Sequence, residues 1–157
     1  KTMKKVGFTI GKFAPFHKGH EYLIETALKE SDELYVIIYD TDVTDISVEK
    51  RAKWITDKFN DVKIIYAYDS PKQYGLDDES VKIQMEYLTK KIDGIPVNCF
   101  FSSEPYGEKV AQYLNIENRI VDMSRQQVPI SAGLIRNDIE KHKMFLDEKI
   151  YKEIIKN

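Results

Sequence analysis

Apolar residues gather along the chain in short runs, which alternate with longer stretches where they recur every three or four positions. "VGFTIG" (6–11), "ELYVIIYD" (33–40), "VKIIYAY" (62–68), "VNCFFS" (97–102) and "RIVDM" (119–123) are brief, apolar and rich in β-branched or aromatic residues. Such runs are the mark of buried parallel strands. Between them, "GHEYLIETALKES", "SVEKRAKWITDKFN", "DDESVKIQMEYLTKKID" and "PYGEKVAQYLN" carry apolar positions at helical spacing. Asp77 or Asp78 is a good N-cap for the third of these, whereas Ser47, with Lys50 where a capping box would put an acid, is a weak start. The tail "HKMFLDEKIYKEII", from His142, predicts one or two last helices packing Phe145, Leu146, Ile150 and Ile154. Strands alternating with helices predict an α/β fold. The expectation is a single doubly wound domain, 1–157, with a parallel, Rossmann-like five-stranded sheet flanked by helices and 138–157 as a C-terminal helical tail.

Composition narrows this further. The 157 residues are 42% hydrophobic and 32% charged, enough for one core and too few for two ordinary domains. Twenty-four Lys and Arg against twenty-six Asp and Glu give a net charge of -2, which argues against a general polyanion binder. Any phosphate chemistry must be local. The lone Cys99 excludes an internal disulfide, and no long apolar run is present, so the expected setting is the cytoplasm. The opening "KTM" reads as a tag remnant ahead of Met3, with 1–5 as tag or unstructured chain.

Open parallel sheets bind ligands at the carboxyl ends of their strands, where helix N-termini also point. The joint after the first strand is therefore the default site. Neither Gly-x-Gly-x-x-Gly nor Gly-x-x-x-x-Gly-Lys-Ser/Thr stands there. Instead it holds His17, Lys18, Gly19 and His20, two of the chain's three histidines in four residues. Gly19 would admit a phosphate closely, the helix start would offer amides to it, and both imidazoles would donate to it. His142, alone in "EKHKM", reads as an ordinary surface histidine. "DTDVTD" (40–45) lacks the glycine and final glutamate of a calcium loop and reads as a solvated connection.

"GKFAPFHKGH" resembles the His-x-Gly-His signature of the nucleotidylyltransferase superfamily, in the form carried by nicotinamide mononucleotide adenylyltransferases. "PISAGLIR" (129–136) resembles that superfamily's Ile-Ser-x-x-x-Ile/Val-Arg signature. "SSEPYGEKVAQYL", "VDMSRQQVPISAGLIR" and "EKRAKWI" are similar to segments of the NadR-type branch. Where NadR-type domains carry tryptophans ahead of the third helix, one of them stacking on nicotinamide, this chain has "YGLDDES", and its only tryptophan is Trp54. Tyr74 is the aromatic available for that place.

The resemblance implies transfer of AMP from ATP to nicotinamide mononucleotide, giving NAD and pyrophosphate. The acceptor phosphate is already ionised, so alignment and charge stabilisation suffice and no strong base is needed. Carried over residue by residue, His17, His20 and Arg136 are the catalytic set. Gly11, Lys12, Phe13, Gly19, Arg51, Ile130 and Ser131 join them in holding ATP, and the Ser131 hydroxyl would also cap a short helix. Tyr74, Ser102, Ser103, Glu104 and Arg125 are the acceptor candidates. Ser102 to Glu104 serve equally well as a cap for the following helix, with Pro105 in its first turn. Magnesium is expected with ATP, on phosphate oxygens and water, with no metal held by the protein alone. The implied partners are ATP and a phosphorylated small-molecule acceptor, without nucleic acid or membrane, and a homo-oligomer stays open. Two alternatives remain: a transferase using another acceptor such as phosphopantetheine or CTP as donor, and a module that senses nucleotides without turnover.

Overall fold

The computed structural model describes residues 4–73 and 75–156. Five strands, β1 (Val6–Gly11), β2 (Glu33–Tyr39), β3 (Lys63–Ala67), β4 (Cys99–Ser102) and β5 (Glu117–Ile120), form one sheet in the order β3-β2-β1-β4-β5. Every neighbouring pair is parallel. The intervening helices are α1 (Lys18–Glu30), α2 (Val48–Lys58), α3 (Asp78–Lys91) and α4 (Gly107–Leu114). After β5 come α5 (Ala132–Asn137), α6 (Ile139–His142), a 3-10 turn and α7 (Glu148–Lys156).

Alternation along the strands explains how both faces of the sheet are covered. On β2, Leu34, Val36 and Ile38 join α1, α2, α5 and α7 in one apolar cluster, while Ile37 and Tyr39 join α3 and α4 in another. On β4, Cys99 and Phe101 turn to the first cluster and Phe100 to the second. A strand buried on both sides is apolar over most of its length, which is why β1, β2 and β4 read as near-continuous apolar runs. In the tail, Leu146 and Ile150 are buried in the first cluster, with Phe145 and Ile154 packed against it. Trp54 Nε1 donates to Glu153 and ties α7 to α2. Among the described residues, no helix is long and apolar enough to cross a membrane.

Several boundaries differ from the sequence expectation. Ser47 caps α2 after all, its Oγ accepting from Lys50 N at 3.1 Å, because a hydroxyl needs no acid partner to satisfy one free amide. Asp77 caps α3 by accepting from Ser80 N. β5 lies at 117–120 rather than 119–123, because Asp122 adopts a φ of +50° and its carboxylate accepts from the amides of Gln126, Gln127 and Val128. The apolar pair Ile120 and Val121 hides that turn. Strand β4 begins at Cys99 and α4 at Gly107, so Pro105 precedes the helix instead of lying in its first turn.

The chain turns from one face of the sheet to the other between β1 and β4, and a crevice opens where such a sheet reverses. The β1–β4 ladder runs over Gly7–Cys99 and Phe8–Phe100, while β1 stays paired with β2 as far as Gly11–Ile38. β1 and β4 therefore part company three residues before β1 ends.

Candidate active site

A cavity of about 610 Å³ occupies this crevice. That is ample for a nucleotide-sized ligand. His17, His20, Ser131 and Arg136, from motifs more than a hundred residues apart, line the same cavity, with Gly11, Lys12, Phe13 and Gly19. Ser102, Ser103, Glu104 and Arg125 line it as well.

The His-Lys-Gly-His joint is built differently from what the sequence suggests. His17 is the N-cap of α1, its Nδ1 accepting from Gly19 N at 3.0 Å and His20 N at 3.3 Å. His20 Nδ1 accepts in return from His17 N at 3.2 Å, so the two imidazoles form a reciprocal capping box. Their rings stack with centroids 3.7 Å apart. A Cβ on Gly19 would lie 2.8 Å from the His17 ring, so the glycine makes room for that imidazole. The amides of Gly19 and His20, expected to face an anion, are spent on His17. Phe13 packs edge-on to His20 at 4.8 Å and Phe16 lies parallel to it, so the ring is held from both sides.

Accepting at Nδ1 puts the proton of each neutral imidazole on Nε2, which leaves each ring one N–H to offer a ligand. Burial, assisted by Arg125, pushes the His17 pKa down to about 3. Burial, then His17 and Arg125, hold His20 well below the usual histidine range. Both rings are therefore neutral donors, and the positive charge of the cavity comes from elsewhere.

This has a consequence for stability. A histidine charged in the unfolded chain but neutral when folded takes up a proton on unfolding at any pH between its two pKa values. Stability is then full above pH 6.5 and falls as pH drops from 6.5 toward 3, at about 1.4 kcal/mol per pH unit for each such group. Carboxylates held low, such as Glu33 at about 2 and Asp122, contribute only below their ordinary range near 4. Thermal unfolding followed from pH 7 to pH 5 should thus lose midpoint through the imidazoles, and His17→Asn should flatten that slope. A slope unchanged by this substitution would contradict the neutral pair.

Cations ring the cavity. Arg136, exposed on α5, donates from Nη1 to Ala14 O at 2.7 Å and fastens α5 to the loop ahead of the histidines. The Lys12 ammonium has its pKa lowered by burial and then by Arg136 and Lys72, which marks a region of gathered positive charge. Arg125, at a φ of +55°, donates to Ile130 O at 2.7 Å and to Glu104 Oε1 at 3.1 Å. Ser131 Oγ caps α5 by accepting from Leu134 N at 3.3 Å. Ser102 Oγ accepts from Glu104 N at 2.9 Å, and α4 has no side-chain cap. The cap reading of Ser102 to Glu104 is thereby corrected, because the helix starts too late for them to reach its amides.

Two expected nucleotide contacts lie away from the cavity lining. Arg51 is buried and donates to the backbone carbonyls of Ile46, Tyr39 and Lys12, so its guanidinium is committed to the fold. Ile130 is buried in the core, with its carbonyl taken by Arg125. Tyr74 lies outside the described residues. Sequence reasoning passed over Thr9, Lys109 and Asp122, which also line the cavity. Asp122 carried a signal, since an aspartate after a strand commonly bonds the amides that follow it. Lys109 and Thr9 carried none. Among the described residues, no three His, Cys, Asp or Glu side chains gather as a metal site.

The family model for the citrate lyase ligase C-terminal domain matches residues 9–126. The trifunctional NAD biosynthesis/regulator protein NadR of Salmonella typhimurium is 30% identical over 153 residues, covering 86% of this chain and 37% of that protein. This chain thus spans little more than a third of that relative's length. A crystal structure of NadR protein in complex with NAD and AMP-PNP shares the fold with a TM-score of 0.65 at 19% identity, over 91% of this chain and 44% of that one. A bifunctional NMN adenylyltransferase/ADP ribose pyrophosphatase from Francisella tularensis, complexed with AMP and a manganese ion, shares it with a TM-score of 0.68 at 20% identity. That likeness covers 98% of this chain and 49% of the other.

Proposed function

We propose an adenylyltransferase: the chain belongs to the citrate lyase ligase C-terminal domain family, within the nucleotidylyltransferase superfamily, and its reaction joins ATP to nicotinamide mononucleotide. The products are NAD and pyrophosphate. The observation that carries the reading is the pair of neutral imidazoles, each with one Nε2–H left for a ligand, in a cation-ringed cavity at the sheet's reversal point.

In this reaction an oxygen of the acceptor phosphate forms a bond to the α-phosphorus of ATP. The bond from that phosphorus to the bridging oxygen breaks, and its electron pair leaves with pyrophosphate. Negative charge grows on the oxygens around phosphorus, so fixed donors that need no reorganisation are what lower the barrier. His17 and His20 donate to the α-phosphate, while Lys12 and Arg136 balance the charge of the triphosphate. Ser131 presents its hydroxyl to the same group. Arg125, held by Glu104, takes the acceptor phosphate, with Ser102 and Ser103 beside it. A divalent ion would arrive on the phosphates with its ligands drawn from them and from water. The NAD-biosynthetic relative and the NMN adenylyltransferase neighbour support nicotinamide mononucleotide as acceptor.

The test is pyrophosphate release by purified protein with ATP, in the presence and absence of nicotinamide mononucleotide. Release that requires the mononucleotide is the expected result. Release with phosphopantetheine instead, or from CTP, would move the assignment to that acceptor or donor. ATP binding with no release under any acceptor would mark a sensing module.

A further inference from the structure

Thr9 is the first residue of β1 beyond the point where its ladder with β4 ends, and it lines the cavity there. Its side chain is 1% exposed, and its hydroxyl oxygen has no hydrogen-bond partner. Three other buried side-chain atoms among the described residues lack a partner, on Glu21, Ser31 and Asn118, and none of these residues lines the cavity. A buried hydroxyl left unpaired works against folding. Valine has nearly the same shape, fits a strand at least as well and carries no such burden. Folding alone therefore gives no reason for an oxygen at this position, whereas a ligand in the cavity does.

Building on the adenylyltransferase reading, we infer that Thr9 is a specificity contact, its hydroxyl bonding a neutral polar group on the ring of the bound acceptor. In nicotinamide mononucleotide that group is the carboxamide. A threonine hydroxyl offers one hydrogen and two lone pairs, which suits a group that both donates and accepts. An anionic substituent would need a cation beside it, since a buried charge without one is strongly disfavoured. The cavity's cations stand on other elements: Lys12 after β1, Lys109 on α4, Arg125 after β5 and Arg136 on α5. The amino-bearing edge of a purine offers the same neutral pairing, so the donor base is the competing occupant.

Thr9→Val and Thr9→Ser separate these by calorimetry with nicotinamide mononucleotide and, independently, with a non-hydrolysable ATP analogue. Thr9→Val is expected to weaken the mononucleotide about tenfold and leave the analogue unchanged. Its thermal midpoint should match or exceed that of the parent, which no structural role of the hydroxyl would allow. Thr9→Ser should recover most of the lost affinity. Weakening of the ATP analogue alone would overturn the acceptor assignment in favour of the purine, and unchanged affinity for both ligands would overturn the contact altogether. A failure of the adenylyltransferase reading shows up separately, as intact binding of both ligands by the parent without pyrophosphate release.

Discussion

His20→Asn is expected to lower turnover about 10²- to 10³-fold while the protein folds as before, and His17→Asn to do the same. Asparagine places an oxygen close to where imidazole has Nδ1. The substituted side chain can therefore still accept from the amides that Nδ1 accepts from now, those of Gly19 and His20 for His17 and that of His17 for His20. Asparagine is also among the best N-cap residues. What disappears is the Nε2–H, the one donor each ring has left for a ligand, which the proposed reaction sets against the α-phosphate of the adenylyl group in transfer. Loss of a single fixed donor at a comparable oxyanion lowers kcat by about 10²- to 10³-fold. Alanine cannot make this separation, because it removes cap and donor together and lowers stability by about 1 kcal/mol on the first account alone. Steady-state pyrophosphate release and thermal unfolding, measured on the same preparations, read the two roles apart. Full turnover in His20→Asn would remove the histidine from the reaction.

The largest stability effect is expected at a residue the sequence placed on the triphosphate. Arg51→Met should lower the thermal midpoint by about 10 °C. The guanidinium is 1% exposed and serves three carbonyls, those of Ile46, Tyr39 and Lys12, with Asp40 and Glu49 near enough to oppose the burial of its charge. Methionine fills the stem but takes the guanidinium donor away from three carbonyl oxygens, that of Tyr39 buried and those of Ile46 and Lys12 partly buried. At about 1 to 3 kcal/mol for each such group the loss is about 3 kcal/mol or more, and in a domain of this size 1 kcal/mol moves the midpoint by about 2–4 °C. Lysine rescues little, having one nitrogen where the fork has three. The opposite pattern, a retained midpoint with weakened ATP binding, would restore Arg51 to the triphosphate.

These two cases show what a linear sequence exposes and what it hides. The five strands and their flanking helices were legible because burial on both faces forces near-continuous apolar runs in β1, β2 and β4, and amphipathic spacing in α1 to α4. The end of β5 was not, since Asp122 turns the chain through hydrogen bonds to amides four to six residues ahead, which no apolar period records. The histidine pair was visible as a cluster of rare residues. Its internal arrangement, each ring capping the backbone of the other, depends on a ring lying over Gly19 and has no signature in spacing. Arg51 looks like any other cation in the sequence, and only its depth in the fold shows that backbone carbonyls already occupy it. Thr9 is hidden for the opposite reason, because threonine is an ordinary strand residue and its unpaired oxygen appears only once neighbours are known.

The bond from Arg136 to the carbonyl of Ala14 joins residues 122 positions apart and has a bearing on the order of assembly. β1 is the centre of the sheet and the first of its five strands along the chain, yet the cation that fastens the loop after it follows all five. A nascent polypeptide stopped before residue 129 could lay down all five strands and still lack the clasp, presenting a sheet with a loose loop beside the cavity. Closing so long a loop is a slow step compared with local helix formation. Within this domain the clasp therefore forms only after all five strands have been made, on an architecture already in place.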